Sequence, residues 1–96
     1  MTCFMYVAKT ENGCFTKIGI SSRPFFRMKT VGLHLKQRCR VVRLFAFAKR
    51  EDAKRAETVV KERFKAKCVG REWFTCAESQ MIQAASQSKK IAFAIE

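Results

Sequence analysis

The 96-residue chain predicts an α/β (α+β) fold, with its elements in the order hairpin, helix, strand, helix, helix. Three observations carry that expectation. An Asn12-Gly13 turn lies between two strand-like runs, an apolar stripe recurs at helical spacing over residues 51–66, and a Thr75-x-x-Glu78 capping pattern precedes a second such stripe. The length is that of one domain, expected to span residues 1–96, and a 48% hydrophobic fraction is enough for a real but thin core.

The hairpin comes first. Residues 4–9 and 14–21 are rich in Phe, Tyr, Val and Ile, and Asn-Gly between such runs favours a two-residue type I′ loop. That loop pairs Glu11 with Cys14, Ala8 with Lys17, Val7 with Ile18, Tyr6 with Gly19 and Met5 with Ile20. Alternation then puts Met5, Val7, Ile18 and Ile20 on an apolar face and Tyr6, Ala8, Lys17 and Gly19 on the other. Lys17 is diagonal to Tyr6, and Gly19 is expected to leave open space beside the phenol.

Ser22 is the expected N-cap of a first helix, with Pro24 in its first turn and its end before Gly32. Phe25, Met28 and either Val31 or Phe26 are expected to face inward, with Arg27 beside them. Residues 38–47 form the third strand, in which Val41-Val42 breaks the alternation and predicts a bulge. Residues 51–66 are the clearest helix. Glu51 and Asp52 suit its N-terminus, Lys65 and Lys67 its C-terminus, and Ala53, Ala56, Val60 and Phe64 its buried stripe. Glu57 falls at the edge of that stripe and Glu62 away from it. Residues 69–74 read as a loop carrying Trp73 and Phe74, whose expected role is to dock the last helix. Ala77, Met81, Ile82 and Ala85 suit that helix's inner face, and the tail KKIAFAIE is compatible with helix or strand.

Charge is the strongest global signal. Twenty Lys and Arg against eight Asp and Glu give +12, beyond the roughly 2–8 usual for a small soluble domain. Residues 1–48 hold nine basic residues and one acid, for +8, and residues 49–96 eleven and seven, for +4. Such a field attracts polyanions, nucleic acid foremost and anionic lipid second. Lys36, Arg38, Arg40 and Arg43, with Arg23 and Lys29, are the expected DNA-backbone contacts. No run approaches the roughly 18 apolar residues of a membrane span, and MTCFMYVAKT does not read as a signal peptide. Five cysteines with no C-x-x-C pair and a single histidine, His34, argue against zinc and against a disulfide framework. Reduced, mostly buried thiols in a cytoplasmic protein are expected. His34 itself reads as a surface or loop residue.

Four polar residues sit where apolar ones would be simpler: Tyr6, Lys17, Arg27 and Glu57. With their spacing, the chain resembles the GIY-YIG nuclease superfamily over about residues 4–85. Phe4-Met5-Tyr6 stands for the first motif and Lys17-Ile18-Gly19 for the second, with lysine in place of tyrosine. Arg27 and Glu57 fall where the family's helix arginine and glutamate would, and Val31 stands where many members carry histidine. Gly70 to Phe74, GREWF, resembles a phage-associated and fungal branch with KIG-type second motifs, some of whose members are described mainly as DNA-binding. The late asparagine of the superfamily has no clear counterpart.

The resemblance implies a three-stranded antiparallel sheet flanked by helices, one divalent metal (Mg²⁺ or Mn²⁺) on Glu57, and hydrolysis of a DNA phosphodiester. Tyr6 would act as general base with Lys17 lowering its pKa, and Arg27 would grip phosphate. Gly19 and Ser21 would help to position the substrate. The DNA could be branched or single-stranded, specificity could come from a homodimer or a partner, and the location would be the host cytoplasm if the chain is phage-encoded. Other readings stand beside this one. Tyr6 and Lys17 fit an ordinary sheet face, and Glu57 fits ion pairs with Lys54 at i−3 and Lys61 at i+4. The whole fits a non-catalytic DNA- or RNA-binding module, or a module docking an acidic, DNA-mimicking protein surface.

Overall fold

A computed structural model describes residues 2–13, 15–35, 38–69 and 73–94. Strands β1 (Cys3–Thr10) and β2 (Thr16–Ser21) are followed by helix α1 (Pro24–Leu35), strand β3 (Cys39–Phe47) and helix α2 (Arg50–Arg63). After a 3-10 turn at Lys65–Lys67 come strand β4 (Trp73–Phe74) and helix α3 (Glu78–Ala94). The sheet is antiparallel in the order β3-β1-β2-β4, so it has four strands, not three. The extra one pairs Thr16 with Phe74 and Lys17 with Trp73. Two residues are too short to show alternation in sequence, and their partner lies far away in the chain.

The hairpin register is the expected one, with Val7 opposite Ile18 and Tyr6 opposite Gly19. The turn differs in detail. Gly13 N–H donates to the Thr10 carbonyl at 2.9 Å, which centres the turn on Glu11 and Asn12 and leaves Gly13 at φ 74°. The Thr10 hydroxyl donates to Asn12 Oδ1 at 2.6 Å and stabilises this longer loop. A four-residue and a two-residue loop share the same axis, so the strands keep their partners. The Glu11–Cys14 pairing falls on a position outside the described residues. The β3 bulge is present: Val7 faces Arg43 and Ala8 faces Val41, so Val42 is the extra residue.

The sheet separates two apolar layers. On one side Met5, Val7 and Ile18 pack with Ala53, Ala56 and Val60 of α2 and with Met81, Ala84 and Ala85 of α3. Small residues let α2 and α3 approach closely, and the Ser88 hydroxyl donates to the Ala56 carbonyl at 2.7 Å across that contact. On the other side Tyr6 and Ala8 pack with Met28 of α1, alongside Val31, Cys39, Val41 and Leu44. Phe25 and Phe26, expected as core candidates, are exposed instead. Among the described residues, α1 contributes Met28 and Val31 to this layer.

Several helix ends differ from expectation. Ser22 is not the cap of α1: the helix begins at Pro24, and Ser21 Oγ accepts the Arg23 N–H at 2.9 Å. The helix runs through Gly32 to Leu35 and takes in His34, because Gly32 has no left-handed backbone to end it. The Thr75–Glu78 capping box does not form. Cys76 is buried and its carbonyl accepts from the Thr16 hydroxyl at 2.9 Å, tying that segment to β2. Helix α3 therefore starts only at Glu78, which pairs with Lys9 at 3.3 Å, and Ala77 is exposed. The tail continues α3 as helix as far as Ala94. Among the described residues, no helix is long and apolar enough to cross a membrane.

Cys3, Cys39, Cys68 and Cys76 carry thiols. Cys68 is exposed and the other three are wholly or partly buried. Burial pushes the Cys39 thiol pKa up, against the nearby Lys17 charge, and burial likewise raises that of Cys76. Only thiolate alkylates. At pH 8 the expected order is therefore Cys68 well before Cys39 and Cys76, readable by mass spectrometry after timed iodoacetamide treatment. Equal rates would contradict the burial of the latter pair.

Candidate active site

The central feature is the contact of Tyr6 with Gly19. Both lie on the α1 face of the sheet, on β1 and β2, and Tyr6 is only 2% exposed. A Cβ placed on Gly19 would lie 2.5 Å from Tyr6 Oη and 2.7 Å from Cζ. The expected gap beside the phenol is therefore filled by the phenol itself, whose Oη and ring edge pack against Gly19. Gly19 is required for this close approach; its φ is not left-handed.

Lys17 shares the face with Tyr6 and also contacts Trp73. It is 2% exposed, and its ammonium sits over the Trp73 ring, 5.8 Å from the centroid. That distance is within the range of a cation–π contact. Trp73 is half-buried and covers the lysine, a role that sequence reasoning missed because it depends on the β2–β4 pairing. The same lysine charge reaches the Cys39 thiol.

A solvent-open cleft of about 380 Å³ gathers the remaining candidates: Tyr6, Gly19, Ile20, Arg27, Arg50, Lys54 and Glu57 line it. Four separate elements contribute, so the grouping is tertiary. Arg27 is exposed on α1 at its mouth. Glu57 is 3% exposed, with Oε1 3.0 Å from Lys54 Nζ and Oε2 3.6 Å from Lys61 Nζ. Both ion-pair partners named from the sequence are thus engaged. Arg50, which sequence reasoning did not single out, follows from spacing once Glu57 is chosen: residues 50, 54 and 57 lie at i, i+4 and i+7, one stripe of α2.

A metal implied by the resemblance can be tested against this donor set. Glu57 is the only acid lining the cleft, and the described residues contain no group of three or more His, Cys, Asp or Glu able to hold an ion. Among those residues the donor set is too small for a site built wholly from protein ligands. It fits Mg²⁺ or Mn²⁺ held through one hard carboxylate, with water and substrate phosphate completing the shell. Lys54, whose side chain is 63% exposed, must swing away for the carboxylate to receive such an ion.

The other basic candidates scatter over several surfaces. Arg23 is exposed, with its guanidinium over Phe26 at 4.8 Å. Lys29, Arg38 and Arg40 converge beside a second, larger groove, whereas Arg43 lies with Arg40 next to α3. Ser21 is half-buried and its hydroxyl turns the chain into α1 rather than facing the cleft lining. Lys36 lies outside the described residues.

Fold and cleft together define a small basic α+β module in which tyrosine, arginine and glutamate converge at one opening. The chain belongs to the T5orf172 domain family, whose model matches residues 3–89. This is a phage-associated domain related to nuclease-like modules. No curated protein and no solved structure matches the chain.

Proposed function

We propose that the chain, as one domain over residues 1–96, is a metal-dependent endonuclease of GIY-YIG type acting on DNA in the cytoplasm. The observation that carries this reading is the convergence of Tyr6, Arg27 and Glu57 from three elements on one cleft of a chain with charge +12. Tyr6 Oη orients the attacking water and takes its proton, and the Lys17 ammonium on the same sheet face favours the phenolate. Arg27, joined by Arg50, holds the phosphate oxygens with forked donors and neutralises charge as the phosphorus becomes five-coordinate. Glu57 is the residue that would hold a divalent ion, and such an ion would supply Lewis-acid stabilisation of the phosphate when bound. The test is a supercoiled-plasmid assay with and without Mg²⁺ or Mn²⁺. Metal-dependent nicking supports the reading; a shifted but uncut plasmid under every condition sinks it.

One observation favours a second reading, a non-catalytic DNA- or RNA-binding module. Both Glu57 oxygens are occupied by lysines, as in a purely structural ion pair. Either reading requires contacts to phosphate. Affinity should fall with salt at a logarithmic slope of about −0.9 per phosphate neutralised, and Arg40→Ala should reduce that slope by about 1. A slope unchanged by Arg40→Ala would remove β3 from the backbone track.

A further inference from the structure

Helix α1 opens onto two different surfaces. Arg27 faces the cleft described above, while Phe25, Lys29 and Leu33, at i, i+4 and i+8, line a groove between α1 and β3. That groove holds about 900 Å³, at the upper end of ligand-cleft sizes. Its apolar surface is unusually open to water: Phe25 is 66% exposed and Leu33 76%. Met28 and Val41 form the floor beneath them. A small domain that buries Met28 yet leaves an aromatic ring and a leucine in solvent on the same helix presents a surface to be covered.

The rim tells what covers it. Lys29, Arg38 and Arg40 line the groove, Arg40 at the sheet edge where it also borders α3, against one carboxylate among the described residues, Glu11. An aliphatic ligand or an ordinary apolar protein segment would leave those three cations without use. A strand of unpaired nucleotides would use every part, because its bases stack on aromatic and guanidinium faces while its phosphates meet the basic rim. Glu11 adds an acceptor for an exocyclic amino group such as that of cytosine. Paired bases in a duplex keep their faces hidden and cannot occupy the groove.

We propose that the α1–β3 groove is a stacking site for unpaired nucleobases, so that the preferred nucleic acid carries a single-stranded segment. This rests on the reading that the chain binds nucleic acid, and it deepens that reading by naming the structural class of the ligand. Helix α1 forms the wall between groove and cleft. A strand crossing it sets its bases against Phe25 and presents a backbone phosphate on the Arg27 side.

The test compares three labelled ligands of equal length by fluorescence anisotropy at one salt concentration: a cytosine- and thymine-containing single strand, an abasic strand with the same phosphates, and a duplex. The wild-type chain should prefer the base-bearing single strand over the abasic one by about tenfold or more. Phe25→Ala should erase that preference with little change in duplex binding, and Phe25→Trp, which keeps a π-face, should retain it. Phe25 is exposed, so neither variant disturbs the core. Equal binding of abasic and base-bearing strands would overturn the proposal and leave the groove to an apolar protein segment. An unaltered preference in Phe25→Ala would also overturn it. Failure to bind any of the three ligands would overturn both the groove and the nucleic-acid reading. Base preference without nicking would leave the groove standing and remove only the nuclease.

Discussion

Glu57→Ala should abolish strand scission, by about 10³-fold or more, while its melting temperature stays the same or rises. The two halves of that expectation have different causes. As the only acid among the described residues lining the cleft, Glu57 has no substitute there as a hard oxygen ligand, and losing a group that stabilises transition-state charge typically costs about 10²–10³ or more in rate. On stability the sign is opposite. The carboxylate is buried within a helix, and its desolvation offsets much of what its ion pairs return. Alanine is the best helix former. Lys54 is mostly in water and can reorient when its partner is removed. A residue that lowers stability and raises activity is the signature of a functional position. The measurement pairs plasmid nicking with thermal denaturation of the same preparation. A marked fall in melting temperature with nicking intact would make Glu57 a structural ion-pair partner and nothing more.

Gly19→Ala carries the second large effect. The new methyl would lie 2.5 Å from Tyr6 Oη and 2.7 Å from Cζ, well inside van der Waals contact. The ring cannot swing aside freely because Tyr6 is buried between the sheet and Met28. Overpacking of this kind costs about 1–3 kcal/mol, and each kcal/mol lowers the melting temperature of a domain this size by roughly 4–8 °C. Because the clash falls on the phenol, nicking should drop along with stability. Tyr6→Phe in the Gly19→Ala background should recover part of the lost stability but not the nicking, since it removes the closest atom, the general-base hydroxyl, but leaves the ring carbon; the coupling appears as non-additivity of melting temperatures in the double-mutant cycle. If Gly19→Ala melts like the wild type, the phenol does not rest on the glycine.

Much of this molecule was legible in one dimension. Asn12-Gly13 and the alternation on either side were enough to pair Tyr6 with Gly19, and the break at Val41-Val42 announced the bulge. Glu57 stood out because an acid lay at the edge of an apolar stripe, and it is indeed buried with both predicted lysines. Each of these signals has a period of two or about 3.6 residues, so a short window contains all of it. The misreadings share the opposite property. Phe25 and Phe26 looked like core because they are aromatic, yet burial depends on whether anything lies opposite, and nothing among the described residues covers them. The cap at Thr75 was overruled by Cys76, held to Thr16 sixty residues away.

The sequence by itself determined the hairpin, β3, the three helices, the faces of β1, β2 and α2 and the sign of the electrostatic field, because these follow from local periodicity and from summed charge. Only the tertiary structure decided that Arg50 and Lys54 join Tyr6, Arg27 and Glu57 at one cleft. It also decided that Lys17 lies under Trp73 and that the space beside Tyr6 is already full. Those outcomes depend on how far helices stand from the sheet and on which side chain reaches a shared volume first. Both are set by close packing among residues distant in the chain, and no local pattern encodes them.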